Sequence, residues 1–170
     1  MIGRPQQTEA APYYFTYINQ APGDNPLELL TRQLDQLQLF LSGISEERSL
    51  YRYAPEKWSM RQVLNHVTDT ERAFAFRALW FARGFSTPLA GFDQEVAAGG
   101  ADADRVSWAD HLEEFRQVRL STISLFGNLP LEAWIRTGVA SDNPFTVRAL
   151  AFIIVGHVAH HVAVLRERYS

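Results

Sequence analysis

Five histidines are the residues of this 170-residue chain best suited to chemistry, and two of them share a pattern. His157 and His161 lie within Gly156-His157-Val158-Ala159-His160-His161. An i, i+4 spacing projects two imidazoles from one helix face about one turn apart, which suits chelation of a single ion. Val147, Leu150, Ile154, His157, His161 and Val164 recur at steps of three and four, so both histidines take core positions on a helix. A lone histidine on an apolar face is more often structural. Two stacked in one seam must each find a polar partner, or burial is costly, and a metal satisfies both together. On the pair alone, structural histidines and metal ligands both stand as readings.

A third ligand has to come from another helix, and His66 is the best candidate. It lies about a quarter turn off the centre of its apolar stripe, in a row with Thr70, Ala73 and Arg77. The plain alternative is a surface histidine. His160 is one residue out of register and points about 100° from His161, so it reads as a surface residue or one behind the ligands. His111, beside acidic residues, has no metal-like spacing and reads as solvated. Neutral imidazoles prefer Zn, Ni, Cu, Co or Fe to Mg or Ca. Three protein nitrogens leave a coordination position open, as catalytic metal sites do.

Four helices must position these residues. The first runs from about Pro26 to Ser42, capped by Asp24 or Asn25, with Leu27, Leu30, Leu34, Leu37 and Leu41 as its stripe. The second runs from about Ser59 to Arg83, opened by a Ser59/Gln62 capping box and stopped by Gly84. The third runs from about Ser107 to Phe126, and the fourth from Phe145 or Thr146 to Tyr169. The pattern predicts an all-α four-helix bundle with a long connection between its second and third helices, Gly84 to Val106. A loop of that length is usually functional or mobile, and this one permits a crossover rather than strict up-down order. No segment alternates for long enough to predict a sheet. Residues 1–24 read as an N-terminal segment whose Tyr13 to Ile18 stretch straps across the bundle, and residues 25–170 as the bundle domain.

Composition narrows the function classes. A net charge of −3 with no basic tract argues against nucleic-acid binding. The absence of cysteine removes thiolate nucleophiles and Cys-type zinc sites, and fits a cytoplasmic setting. No stretch is expected to supply the ~20 apolar residues of a membrane helix.

The run Lys57-Trp58-Ser59-Met60-Arg61-Gln62-Val63-Leu64-Asn65-His66, followed by Asp69-Thr70-Glu71-Arg72, resembles the first signature of the DinB/YfiT-like superfamily. Gly156 to His161 resembles its second, the H-x-x-H-H stretch of the last helix. Pro88 to Asp93 and Gly138-Val139 look like its DinB-like subgroup. The resemblance spans roughly Asn25 to Tyr169. It implies a four-helix bundle with a three-histidine metal site, often Zn or Ni, whose ligands fall on His66, His157 and His161. It also implies a homodimer, for which Leu39 and Phe40 offer apolar surface beyond the first helix's stripe. Some relatives transfer low-molecular-weight thiols to electrophiles, and many have no assigned activity.

These readings point to a metal-dependent enzyme acting on a small molecule, a thiol S-transferase with a thiol cosubstrate or a hydrolase. The alternative is a non-catalytic metal-binding or stress-response protein, or a bundle whose histidines are only structural. Asp93, in the long loop, is the candidate catalytic carboxylate, as base or water-orienting group; its plain role is a loop cap. Glu71 reads as a carboxylate orienting an imidazole or as a surface partner of arginine. Arg77 reads as a contact for an anionic substrate group or as a solvated cation. Trp58 reads as an anchor packed beside the cap of the second helix.

Overall fold

The computed structural model describes residues 2–169. Pro12, with its fixed φ, opens a 3-10 turn (Pro12–Tyr14) that runs into α1 (Phe15–Ile18). The expected strap is therefore helical. It crosses the C-terminal helix, burying Phe15 and Ile18. Arg4 fastens it by donating to the carbonyls of Ile18, Ala21 and Gly23.

The four long helices begin at residues that satisfy their first free N–H groups. In α2 (Pro26–Ser42) the Asn25 side chain accepts from Leu27 N. Ser59 and Gln62 form the reciprocal capping box of α3 (Met60–Ala82). The long connection is not plain loop: it holds α4 (Gln94–Ala101) and a 3-10 turn at Ala103–Arg105. Gly99 and Gly100 hide α4 from a propensity reading, and no α4 residue is buried, so no apolar stripe betrays it either. Ser107 caps α5 (Trp108–Gly127), and Thr146 caps α6 (Val147–Arg168).

A small sheet appears where none was expected. β1 (Thr137–Ala140) pairs antiparallel with β2 (Asn143–Thr146). The two linking residues, Ser141 and Asp142, both have positive φ, the twist a two-residue hairpin needs. Four-residue strands are too short for alternation to show, and Pro144 argues against a strand. Gly138 lets β1 lie on α3: a Cβ there would sit 2.0 Å from the Phe81 ring. The hairpin also clasps both covers of the bundle. Leu89 bonds to Val139 and Ser141 on the β1 side, and Thr146 N donates to Glu9 O on the β2 side.

In space α2 packs against α5 and α6, and α3 packs against the same two helices. The pairs α2/α3 and α5/α6 therefore lie across the diagonals. The departure from sequential neighbours falls on the first and last connections, not on the long one. One polar chain ties all four helices together. Glu71 on α3 pairs with Arg119 on α5 at 2.7 Å, and Arg119 donates to Gln33 Oε1 and Leu30 O on α2. Gln33 Nε2 in turn donates to Val155 O on α6. Glu71 is thus fully buried, neither an imidazole's partner nor a surface residue.

Contrary to expectation, α6 is by length and composition apolar enough to cross a membrane. Most of that stretch is buried inside the bundle, where a helix surrounded by α1, α2, α3 and the hairpin needs apolar residues on every side. Of the spare apolar residues on α2, Leu39 is exposed and Phe40 is half covered by the Arg166 guanidinium.

Candidate metal centre

The apolar interior forms two clusters, and α6 passes from one to the other between Val155 and Val158. His157 lies at that seam. Its backbone is brought under the strap by Gly156, where a Cβ would stand 1.9 Å from the Tyr17 carbonyl oxygen. Only glycine permits this approach. The Tyr17 ring then meets His157 edge-on at 5.3 Å.

His66 on α3 faces the seam because α3 and α6 pack side by side. The quarter-turn offset from its stripe, which suggested a surface position, instead aims it between helices, and it is buried. His66 Nε2 lies 3.1 Å from His157 Nε2, and His161 Nε2 lies 3.1 Å from the same atom. One ring nitrogen from each of the three falls within 4.8 Å of the other two. Tetrahedral Zn–N bonds of about 2.0–2.1 Å would set neighbouring nitrogens roughly 3.3 Å apart, so the spacing fits one ion. Behind His66, Thr70 Oγ1 stands 3.4 Å from Nδ1, and Trp58 covers the ring with centroids 5.0 Å apart.

Electrostatics keep the cluster ready for a cation. Burial pulls the His66 pKa down to about 4. Burial, then the neighbouring His66 and His160, pull His161 down to about 3. His157, the most enclosed, is held well below its ordinary value by burial first and by the three other imidazoles after it. Neutral imidazoles at physiological pH offer lone pairs without a proton to displace. Among the described residues no cysteine or carboxylate joins the three, which suits Zn, Ni, Cu, Co or Fe.

His66 and His157 open onto a cavity of about 350 Å³. His161 does not: it stands on the far side, against Leu37, Val63, Val67 and Leu165. The cavity walls are Tyr13, Tyr14 and Tyr17 from the strap, Thr70, Phe74 and Arg77 from α3, Phe92 to Gln94 from the long connection, and Ser141 from the hairpin turn. Asp93 takes the expected capping role and also lies on the cavity wall. Its Oδ1 caps α4, accepting from Glu95 N at 2.9 Å and Val96 N at 3.1 Å, while the residue lines the cavity. Oδ2 carries no hydrogen bond to the described residues.

His111 and Arg77 differ from their expected settings, and His160 does not. His111 is buried, not solvated, with Nε2 2.8 Å from Ala103 O, because the 3-10 turn of the long connection folds over it. Arg77 is buried, not solvated, because the strap and hairpin cover that side of α3. His160 is half-buried against Tyr17 and His161, outside the cluster. The wall residues Tyr14, Tyr17 and Ser141 were not picked out from sequence. The aromatic run Tyr13-Tyr14-Phe15 was the available signal for the first two, and nothing local marks Ser141.

A four-helix bundle with helices joined across its diagonals and three converging histidines defines the class. The chain belongs to the DinB superfamily, whose signature it matches over residues 29–165. Among solved structures it is similar to YfiT from Bacillus subtilis, described as "a probable metal-dependent hydrolase with an unusual four-helix bundle topology". The TM-score is 0.65 at 16% identity, over 95% of this chain and 91% of that one. A search of curated protein sequences gives no significant match.

Proposed function

We propose that this protein is a metal-dependent enzyme that holds one divalent transition ion, Zn or Ni first, on His66, His157 and His161, and acts on a small molecule in the tyrosine-walled cavity. The observation that carries this reading is that three neutral Nε2 atoms converge on one point, and two of them, from His66 and His157, face a cavity. A purely structural metal site would be closed by a fourth protein ligand, and none is present among the described residues. Hydrolysis is the leading reaction, in keeping with the description of the YfiT structure. Thiol S-transfer is the second reading, favoured by the lack of any cysteine: a thiol would have to arrive as cosubstrate and fit the same cavity.

A bound ion supplies Lewis acidity, polarising a substrate oxygen and acidifying water or a thiol. The chain supplies the rest. The three tyrosines of the strap limit access of bulk water. Asp93, which lines the cavity, is the acceptor for a proton released during the reaction.

The experiment compares His161→Ala with Asp93→Asn. His161→Ala abolishes stoichiometric metal uptake in calorimetric titration and abolishes activity. Asp93→Asn keeps metal, and keeps α4 capped because asparagine caps as well as aspartate. It loses most of its kcat. Full activity in Asp93→Asn removes Asp93 from the mechanism, and metal binding unchanged in His161→Ala overturns the site.

A further inference from the structure

Three arginines are buried in this protein: Arg61 at 4% exposure, Arg77 at 6% and Arg119 at 0%. Guanidinium groups stay charged, so each needs compensation. Arg61 has Glu46 and Arg119 has Glu71. Arg77 has no carboxylate within ion-pair distance among the described residues. Its observed contacts are a hydrogen bond from Nη2 to Ser141 Oγ at 2.9 Å and the face of Phe74, 5.2 Å from the guanidinium carbon. Tyr14 lies beside it on the same wall. A buried cation without a counter-ion is costly, and the structure retains one on the wall of the cavity that His66 and His157 open onto. Arg77 and Phe92 also line a second cleft of about 780 Å³, between α3 and the long connection. The cation therefore stands where the two spaces meet.

We propose that Arg77 seats a substrate carboxylate, so that the cavity takes an elongated small molecule with a carboxylate at one end and its reacting group at the histidine end. The missing counter-ion then arrives with the substrate. Guanidinium presents a planar fork that matches a carboxylate, and Ser141 holds one arm of that fork in place. Helix geometry sets the length. His66 and Arg77 are eleven residues apart on α3, about 16 Å along its axis and on nearly the same face. The Arg77 side chain leans back toward His66, as helical side chains lean toward the N-terminus, which shortens the span. Acetate-sized molecules cannot reach both ends. The reacting end of this proposal rests on the metal reading above; the carboxylate end does not.

The test uses linear ω-mercaptocarboxylates from three to eight carbons, each paired with the ω-mercaptoalcohol of equal length, on zinc-loaded protein by competition calorimetry. At one length the carboxylate binds about 10- to 100-fold more tightly than the alcohol, the range of a charge-assisted hydrogen-bonded contact. In Arg77→Met that preference disappears while the alcohol binds as before, and the variant melts no lower than the parent, since it sheds an uncompensated buried charge. Where Arg77→Met does not fold, Arg77→Lys carries the test: the charge stays, the fork is lost, and the preference falls several-fold. A carboxylate preference that persists without Arg77, or none at any length in the parent, overturns the proposal. If the protein takes up no zinc, the metal reading fails separately. Hexanoate against hexanol on metal-free protein, followed by NMR of the Arg77 Nε–H, then decides the carboxylate seat in the same way.

Discussion

At the residue scale, burial determines the behaviour of His66, His157 and His161. Each is held neutral in the fold, whereas in the unfolded chain it takes up a proton near pH 6.5. Below that pH the unfolded state binds more protons, so stability is full above about 6.5 and falls as pH drops toward the lowered values. His66 alone, shifted to about 4, accounts for a loss on the order of 3 kcal/mol across that window. Melting curves in chelator from pH 7.5 to 4.5 should show this slope, and His66→Gln should flatten part of it; an unchanged slope would exclude His66 from the titration. The three clustered histidines were legible in sequence because the i, i+4 pair sat in a core stripe and His66 sat in a matching motif. Glu71, His111 and Arg77 were not, because the exposure of a polar residue on a helix flank depends on what covers that flank. Here the covers are another helix and a hairpin, both distant in sequence, and for His111 a 3-10 turn eight residues back that itself escaped the sequence reading.

At the element scale, the long helices were readable from their stripes and caps, and the hairpin and α4 were not, since both are short and neither carries a periodic apolar face. The strap's placement depends on Gly156. Gly156→Ala forces its methyl into the Tyr17 carbonyl, and overpacking of this kind costs about 1–3 kcal/mol. The expected outcome is a lower melting temperature together with faster proteolysis between Tyr13 and Gln20, where the strap lifts from α6. Melting lowered with no new cleavage there would mean that α6 itself, rather than the strap, absorbs the strain. Because the strap supplies three tyrosines to the cavity wall, the same variant should also bind cavity ligands less tightly.

At the scale of the whole molecule, stability should be sensitive to the Glu71–Arg119 pair. Removing one partner leaves an uncompensated charge at zero or near-zero exposure, a loss of about 3–5 kcal/mol. Urea denaturation of Glu71→Gln measures it. A change under 1 kcal/mol would show that water or another group takes over the charge.

The hydrogen-bonded chain from Glu71 through Arg119 and Gln33 to Val155 also selects among rival folds. Leucine and valine stripes attract without direction, and four such helices could bury them in more than one cyclic order. Of the two orders that make α2 the neighbour of α3, the one with α6 across the diagonal costs Gln33 its bond to Val155 O, and the other places α5 across the diagonal from α2. Arg119 would then lose Gln33 and Leu30, leaving one arm of a buried guanidinium without an acceptor. That penalty falls on the misassembled bundle alone and widens the energy gap to the native one. The least apolar contact in the interior thus discriminates between arrangements that the apolar contacts would tolerate equally.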